Sequence, residues 1–600
     1  MTEKVPASFA PTPFWVAFDN PRTSEIDILG LRYPVQALAA DLVPGITVAT
    51  GHVRYLSLRS WLIWSYIHRQ PSPVDRSKPF TEDFATQAEA AFVMGNLLVD
   101  RTAQGLVGQI RGTEALEKDG PLKLESLAKV PAANIYRGVC ETIGLTRIRD
   151  PGLPALVEQR GLVLAEALGA SVAETALGRK IGTGVCPPEA TKEELLEFGR
   201  VVSSEGISEG ELDALSRILA PVGARDRDSL GSFPGDHARS VILAILLFLA
   251  PDEADEATST SGSAASVADG SEPGSVGLTQ PHLAVMKEAV SAVRSTPPVF
   301  DEILDGWLMY GIRDAMAVTG EATLEALGRH VRRLGTDGGG VPAHDVLSAL
   351  VGEGGNQQVS VFREFGLLPS TAGAKALSSV TVKHCMDELS RLSPLGPGPR
   401  GLRRWTTGVF ETDLIARGRN ADDGAVALGL LSLLLAVHRV GTEEDELPDF
   451  LAPLSVHGGQ RLGLRQVILP TFRGWVQRET TLSEALWDYA SIIIEQHQRV
   501  AWSRLATSEP TDIHVFTRDA GHLIPKKKFA GGQTNPRTDF AWDWLGQMGL
   551  ARDGHTTRQG RELLARVRGA LEAEPPPGDP LGIVAPASAV EGGAVSAATT

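Results

Sequence analysis

Apolar residues recur every three to four positions through most of this 600-residue chain, and this spacing constrains the fold more than any other feature. A helix places residues at that spacing on one face, whereas a half-buried strand needs strict alternation, which is scarce here. The best alternating stretch lies at 514–524, where HVFT and HLI flank an Asp-Ala-Gly turn and predict a small hairpin. The sequence therefore predicts a mainly α, multi-domain helical protein with little β structure.

The two longest apolar runs, Val241–Ala250 and Ala425–Val437, are shorter than the roughly 18–20 residues that a helix needs to cross a bilayer. We expect both to be buried helices and expect no membrane partner. The N-terminal residues lack the charged-then-apolar profile of a signal peptide, and three cysteines are too few for a disulfide framework. These features predict a cytoplasmic protein.

The length predicts several domains, because one domain typically has about 100–200 residues. The clearest boundary is the stretch 251–280, which has six acidic residues, no basic residue and no aromatic residue. Such a stretch cannot bury enough apolar surface to offset its ordering entropy. The predicted organisation is an N-terminal helical domain at 1–250, an acidic disordered linker at 251–280, a second helical domain at 281–505, a winged-helix-like module at 506–573 and a disordered tail at 574–600.

The C-terminal module is predicted from a helix, a tight turn and a second helix. The first helix is expected at Asp539–Met548, the turn at Asp553-Gly554, and the last helix at Gln559–Leu571, capped by Thr557. This order, with the pattern L…GL…DG…T…G..LL, resembles many bacterial winged-helix domains. The resemblance implies a small α+β module over about 35 residues.

Charge separates this region from the rest of the chain. The whole chain has a formal net charge of −16, but 518–568 contains ten Lys or Arg residues against five acidic ones. A run of three lysines followed by FAGGQTNPR predicts a basic loop that contacts phosphates without reading bases. A solvated basic loop, or a winged helix that contacts protein, remains an alternative. The predicted nucleic-acid-binding residues are Lys526, Lys527, Lys528, Arg537, Arg558 and Arg561.

A possible secondary anion site is predicted near the N-terminus. Arg32, Arg54 and Arg59 could meet to hold a carboxylate or a phosphate, since guanidinium groups bind both in a forked geometry. The alternative is that these arginines are buried and tie helix ends to neighbouring loops.

The sequence predicts no catalytic residue, no metal site and no cofactor, because it contains no P-loop, no H-E-x-x-H and no Cys-x-x-Cys. The stretch Gly206–Gly210 fits G-x-S-x-G by letter, but it lacks the preceding strand that a nucleophile elbow needs. Ser208 is better placed to cap the helix that follows.

Three islands of sequence carry a broader resemblance: LGLR…LVPGIT…T…RYLSL..W, then IIEQHQRVAWSRL, then TNPRTDFAWDWLGQMGL. They are similar to a group of large bacterial proteins encoded with phage-defence or restriction-like genes. The absence of catalytic motifs, the basic C-terminal module and this resemblance together predict a non-enzymatic subunit of a bacterial multi-protein system that acts on nucleic acid in anti-phage defence, with other protein subunits and duplex DNA as partners. The alternatives are an enzyme, either a nuclease or a nucleotide-processing protein with a dispersed active site, and a purely protein-binding adaptor.

Overall fold

A computed structural model of the protein describes residues 27–69, 83–147, 155–203, 206–253, 277–335, 339–353, 355–392, 402, 411–420, 422–441, 462–505, 513–531 and 536–573. Most of the predicted acidic linker and all of the predicted C-terminal tail lie outside these residues. Within them the chain is mostly helical, as the apolar spacing predicts.

The described residues form 23 α-helices. Their bounds are α1 Arg32–Leu42, α2 Arg54–Arg69, α3 Ala85–Val99, α4 Gln109–Leu116, α5 Ala132–Ile135, α6 Arg137–Thr142, α7 Val163–Val172, α8 Ala176–Ile181, α9 Lys192–Val202, α10 Glu209–Leu219, α11 Gly223–Leu230, α12 Asp236–Leu249, α13 Pro281–Val290, α14 Asp301–Leu334, α15 Ala343–Leu347, α16 Gly355–Glu364, α17 Val382–Leu392, α18 Glu411–Gly418, α19 Ala425–Val440, α20 Leu469–Gln477, α21 Leu482–Leu505, α22 Arg537–Gln547 and α23 Arg558–Ala573. Side-chain caps define several of the starts. Thr191 and Glu194 form a capping box on α9, and the Ser208 hydroxyl accepts a hydrogen bond from the Glu211 N–H at the start of α10.

Nine short strands accompany the helices in the described parts of the chain. They are β1 Leu122–Lys123, β2 Thr146–Arg147, β3 Ala155–Leu156, β4 Glu189–Ala190, β5 Val341–Pro342, β6 Phe516–Asp519, β7 His522–Pro525, β8 Ala551–Arg552 and β9 His555–Thr556. The predicted hairpin at 514–524 is confirmed as β6 and β7, joined by Ala520 and Gly521 with φ of 43° and 82°. Strand β5 adds to β7 by pairing Val341 with Leu523, so the sheet order is β5-β7-β6.

The chain divides into two compact units, and each unit combines segments that are distant in sequence. The first unit comprises Met1–Gln36 and Gly311–Thr534, and the second comprises Ala37–Tyr310 and Asn535–Thr600. The division into five consecutive segments stays a prediction.

The core of the second unit depends on close helix contacts. Helices α3 and α9 touch through their backbones, because a Cβ atom on Gly95 would lie only 3.0 Å from the Gly199 Cα atom. The apolar part of α12 is buried, including every residue of Val241–Leu247. The expectation that the apolar run in this helix lies in the core is therefore confirmed.

In the first unit, helix α19 is buried along nearly its whole length. Its Gly429 lies directly against Tyr489 of α21, where a Cβ atom would approach the aromatic ring within 2.2 Å. The second long apolar run is thus also a buried helix, as predicted. In the part of the chain that the structure describes, no helix combines the length and hydropathy needed to cross a membrane.

The C-terminal helix, turn and helix form as predicted. Helix α22 is followed by the β8–β9 hairpin, whose turn residues Asp553 and Gly554 have φ of 48° and 82°, and then by α23. The Thr557 hydroxyl accepts a hydrogen bond from the Gly560 N–H at 3.2 Å and so caps α23. The assignment of these elements to a winged-helix domain stays a prediction.

These elements are built into the second unit. The Thr556 hydroxyl donates to the Leu247 carbonyl at 2.7 Å, and the Thr556 N–H donates to the Pro251 carbonyl at 2.9 Å. On the turn side of the hairpin, the Leu278 N–H donates to the Gly554 carbonyl at 2.7 Å. Both described ends of the acidic stretch, near 251–253 and 277–278, therefore contact the hairpin.

Candidate nucleic-acid interface

The basic loop Lys526–Lys528 follows β7 in the first unit and is held by its backbone. The N–H groups of Lys526 and Lys527 donate to the Val515 carbonyl at 2.9 and 3.3 Å. The Lys527 carbonyl in turn accepts a hydrogen bond from Arg332 Nη1 of α14 at 3.1 Å. These main-chain bonds leave the position of the loop independent of its lysine side chains.

The far side of the loop is also attached to α14. The Gly531 N–H donates to Glu325 Oε2 at 3.0 Å, and a Cβ atom on Gly531 would lie 2.8 Å from the Glu321 Cβ atom. The loop therefore follows the last turns of α14. The close approach leaves no room for a side chain at this position.

Positive charge gathers where the loop meets the C-terminal end of α14. Lys526 and Lys528 are exposed, and neither has an ion-pair partner among the described residues. Arg332 is half-buried, and Arg333 is exposed and donates to His330 Nδ1 at 3.0 Å. Basic side chains at a helix C-terminus also interact favourably with the negative end of the helix dipole.

The carboxylates near this end of α14 are engaged by other groups. Arg329 contacts both Glu325 and Asp423, each at 3.4 Å. His330 Nε2 donates to Asp423 Oδ2 at 3.0 Å, since its Nδ1 atom accepts from Arg333. The His330 hydrogen bond is the main cause of the lowered pKa of Asp423.

The other three predicted nucleic-acid-binding residues lie in the second unit. Arg537 is half-buried, donates to the Ile46 carbonyl at 3.3 Å, and has a pKa lowered by burial. Arg558 is highly exposed and pairs with Glu562 at 3.1 Å on α23, and Arg561 pairs with Asp252 at 3.4 Å. Arg558 and Arg561 therefore present partly neutralised charge, while Arg537 serves the packing of α22.

Arg32 of the predicted anion site is buried in the first unit. Its Nε and Nη2 atoms each donate to Glu321 at 2.6 Å, and its Nη1 atom donates to Asp314 at 3.1 Å. Burial raises the pKa of Asp314 to about 6, and Arg32 opposes that rise. Two carboxylates of α14 thus occupy this guanidinium group.

Arg54 and Arg59 of the predicted anion site lie in the second unit. Arg54 donates to both carboxylate oxygens of Glu211 and to the carbonyls of Val201 and Ser203, and it is almost completely buried. This ion pair links α2 to α10 and to the end of α9. Arg54 ties the start of α2 to the end of α9 in the manner of the alternative interpretation, whereas Arg32 pairs with two carboxylates within α14.

Arg59 lies beside a buried carboxylate. Its Nε atom donates to the Ala133 carbonyl at 3.0 Å. Glu89 accepts hydrogen bonds from the N–H groups of Ala132 and Ala133, at the start of α5. Burial raises the pKa of Glu89 to about 7, although the two hydrogen bonds and Arg59 favour its ionised form.

The cysteines and Asp236 are buried or paired with neighbouring side chains. The three cysteines are buried, and burial raises the pKa of Cys186 and Cys385 to about 12, which disfavours their thiolates. Asp236 lies between Arg160 and Arg239 and accepts from the Phe233 N–H. Across the described ranges, no group of three or more His, Cys, Asp or Glu residues is placed to hold a metal ion.

Sequence reasoning missed the contribution of α14 to the basic surface. Arg332 and Arg333 lie in the last turn of α14, nearly two hundred residues before the lysines, and the hydrogen bond from Arg332 to the Lys527 carbonyl spans 195 positions. The sequence does contain a basic pair in the last turn of a helix, but no residue near this pair in the sequence indicates which loop it contacts.

The sequence matches no protein-family profile, and comparison with curated proteins and with solved structures found no similar chain.

Proposed function

We propose that the protein is a non-enzymatic subunit of a bacterial multi-protein system, that it contacts duplex DNA, and that the system acts in anti-phage defence. The observation that carries the DNA contact is the loop Lys526–Lys528, in which Lys526 and Lys528 are exposed and the backbone is fixed beside Arg332 and Arg333. The defence setting and the other protein subunits rest on the resemblance of the three sequence islands alone.

The chemistry of this loop suits phosphate contact. Lysine ammonium groups bind phosphates as point charges, while a loop already held by main-chain bonds loses little entropy on binding. No planar or forked group on the loop is arranged to read base edges, so the contact would position a duplex without selecting its sequence. Salt should weaken this interaction, because it rests on lysine–phosphate attraction, and the net charge of −16 of the whole chain opposes it.

The helix, hairpin and helix at the C-terminus are proposed as a winged-helix module that provides a second contact. Arg558 and Arg561 are the residues that would reach phosphate, after exchanging Glu562 and Asp252 as partners. Because both arginines begin with an acidic partner, we expect them to contribute less to DNA affinity than the lysine loop does.

The test is the salt dependence of duplex binding by the full chain. The triple variant replaces each residue of Lys526–Lys528 by alanine, and the control replaces exposed Lys118, Lys123 and Lys129. Each lost phosphate contact should reduce the slope of log K against log salt by about 0.9, so the loop variant should lose up to about 2.7. Equal slopes for the loop variant, the control and the wild type would refute the DNA contact.

The enzyme alternative is tested on the same samples. The duplex, single-stranded DNA, RNA and nucleotides are incubated with the full chain and Mg²⁺ or Mn²⁺, and the products are separated by size and charge. Metal-dependent conversion that persists in the Lys526–Lys528 variant would favour a dispersed active site over a non-enzymatic role.

A further inference from the structure

A groove of about 660 Å³ opens on the second unit, beside the C-terminal hairpin. One wall is formed by α22 and the β8–β9 turn, and the other by the loop after α3 and the start of α2. Its volume lies within the range of about 300–1,000 Å³ that is usual for ligand sites.

The groove is held open by contacts that do not involve its lining acids. The loops at Gly51 and Gly105 touch through their backbones, since a Cβ atom on Gly105 would lie 2.6 Å from the Gly51 carbonyl oxygen. Trp544 Nε1 donates to the Thr50 carbonyl at 2.7 Å, while Gln547 donates to the Gly51 carbonyl at 2.8 Å and accepts from the Val53 N–H at 2.8 Å. These bonds fix α22 against the opposite wall.

The charge of the groove favours a cation. Asp100, Asp543 and Asp553 are exposed, none has an ion-pair partner among the described residues, and Arg552 is the single Lys or Arg in the described lining. Hydrogen bonds from Thr102 lower the pKa of Asp100, so this carboxyl group stays ionised at neutral pH. An anionic ligand such as a phosphate would meet net repulsion here.

The groove also contains two half-buried aromatic residues, Phe540 and Trp542, on α22. The face of an indole or phenyl ring attracts a cation, and a planar guanidinium group can stack on it.

Two deeply buried polar groups in the lining lack partners. His52 is 3% exposed and Ser203 is 6% exposed, and neither His52 Nδ1 nor Ser203 Oγ has a hydrogen-bond partner among the described residues. Burial and Arg54 lower the pKa of His52 to about 3, so its ring is neutral. Both atoms have almost no solvent-accessible surface, so a ligand in the groove would reach them only after the wall moves.

We propose that this groove binds an arginine side chain from a basic segment of a partner protein. The guanidinium group stacks against Trp542 and Phe540, its charge is balanced by Asp543 and the other two carboxylates, and its N–H groups donate to these carboxylates. Arginine fits better than lysine because it is planar and carries five N–H donors, against the three of a compact ammonium group. We expect peptide binding here to be independent of the DNA contact of the lysine loop, although the groove shares α22 and the β8–β9 hairpin with the module proposed as a second DNA contact.

The test uses a fluorescently labelled peptide with three arginines separated by glycines, and binding to the full chain is followed by fluorescence anisotropy. A peptide with citrulline in place of arginine keeps the shape but loses the charge, and a lysine peptide keeps the charge but loses the plane. We expect the arginine peptide to bind most tightly and the citrulline peptide to bind at least tenfold more weakly.

Three variants of the protein locate the binding. Trp542→Leu and Asp543→Asn should each weaken binding of the arginine peptide by about tenfold. Asp228→Asn, an exposed acid outside the groove, should not change it and thereby controls for the overall negative charge. Asp543 is exposed and not part of the core, so Asp543→Asn should fold like the wild type and report on binding alone.

Equal binding by the wild type, Trp542→Leu and Asp543→Asn would overturn the proposal, as would equal binding of the arginine and citrulline peptides. Duplex binding measured on the same variants separates the two surfaces. Unchanged DNA affinity with weakened peptide affinity supports the groove as an independent site. A parallel loss of DNA affinity would overturn that independence.

Discussion

Replacing Glu89 by glutamine should remove a pH dependence of stability that the wild type carries between about pH 4.5 and 7. In the folded protein, burial raises the pKa of Glu89 from 4.5 to about 7. Between pH 4.5 and about 7, the carboxyl group therefore keeps its proton in the folded state and loses it in the unfolded state. The stability associated with this group is fully present below pH 4.5 and is lost as the pH rises towards 7.

The size of the effect follows from the shift. A difference of about 2.5 pKa units corresponds to about 3 kcal/mol, because one unit is worth about 1.4 kcal/mol. Glutamine also changes the hydrogen bonds to Ala132 and Ala133, since its amide nitrogen cannot accept from an N–H group, and this costs about 1–3 kcal/mol. That cost does not vary with pH. The test is therefore how the free energy of unfolding changes with pH, and not its value at one pH.

The assay is denaturant unfolding of the wild type and Glu89→Gln at several pH values from 5 to 8. Glu166→Gln, at an exposed position of α7, serves as the control. The free energy of unfolding of Glu89→Gln, relative to that of the wild type, should rise by about 2.5 kcal/mol between pH 5 and 8, because the unfolded-state carboxyl group is already mostly ionised at pH 5. A constant difference would show that Glu89 is ionised throughout, and that its hydrogen bonds and Arg59 outweigh the burial.

Three further predictions test individual contacts. Arg54→Met leaves Glu211 buried without its partner and should lower the free energy of unfolding by about 3–5 kcal/mol; a loss below about 1 kcal/mol in denaturant titration would contradict the importance of this pair. Thr557→Ala removes the cap of α23 and should reduce the free energy of unfolding by about 1 kcal/mol, while serine should restore it. His497→Ala removes the acceptor of the Val515 N–H at 3.0 Å, so exchange of that amide should accelerate; unchanged protection would mean that another group accepts it.

Local features of the site could be predicted from the sequence because their causes are local. The β6–β7 hairpin depends on the turn residues Ala520 and Gly521 and on short alternating strands. The cap at Thr557 likewise involves residues only three positions apart. The exposure of Lys526 and Lys528 follows from a loop rich in charge and glycine.

The partners of the arginines could not be predicted in this way. Arg54 meets Glu211 across 157 positions, and Arg32 meets Glu321 across 289. Each pair forms because several helices first pack together, and many carboxylates in the sequence were equally available to each guanidinium group. The groove beside the hairpin has the same origin, since Gly51 and Gly105 bring separate loops together in one wall and Trp544 and Gln547 bind α22 to that wall.

The sequence by itself determined the helical class, the buried fate of its two apolar runs, the C-terminal hairpin turns and the place of the basic loop. These depend on periodicity, turn chemistry and charge within short windows of the chain. Only the tertiary structure decided which charges stay available. It commits Arg32, Arg54 and Arg537 to internal partners and leaves Lys526, Lys528 and the groove carboxylates exposed. The physical reason is that a charge is neutralised or left exposed by its neighbours in space, and those neighbours come from distant parts of the chain.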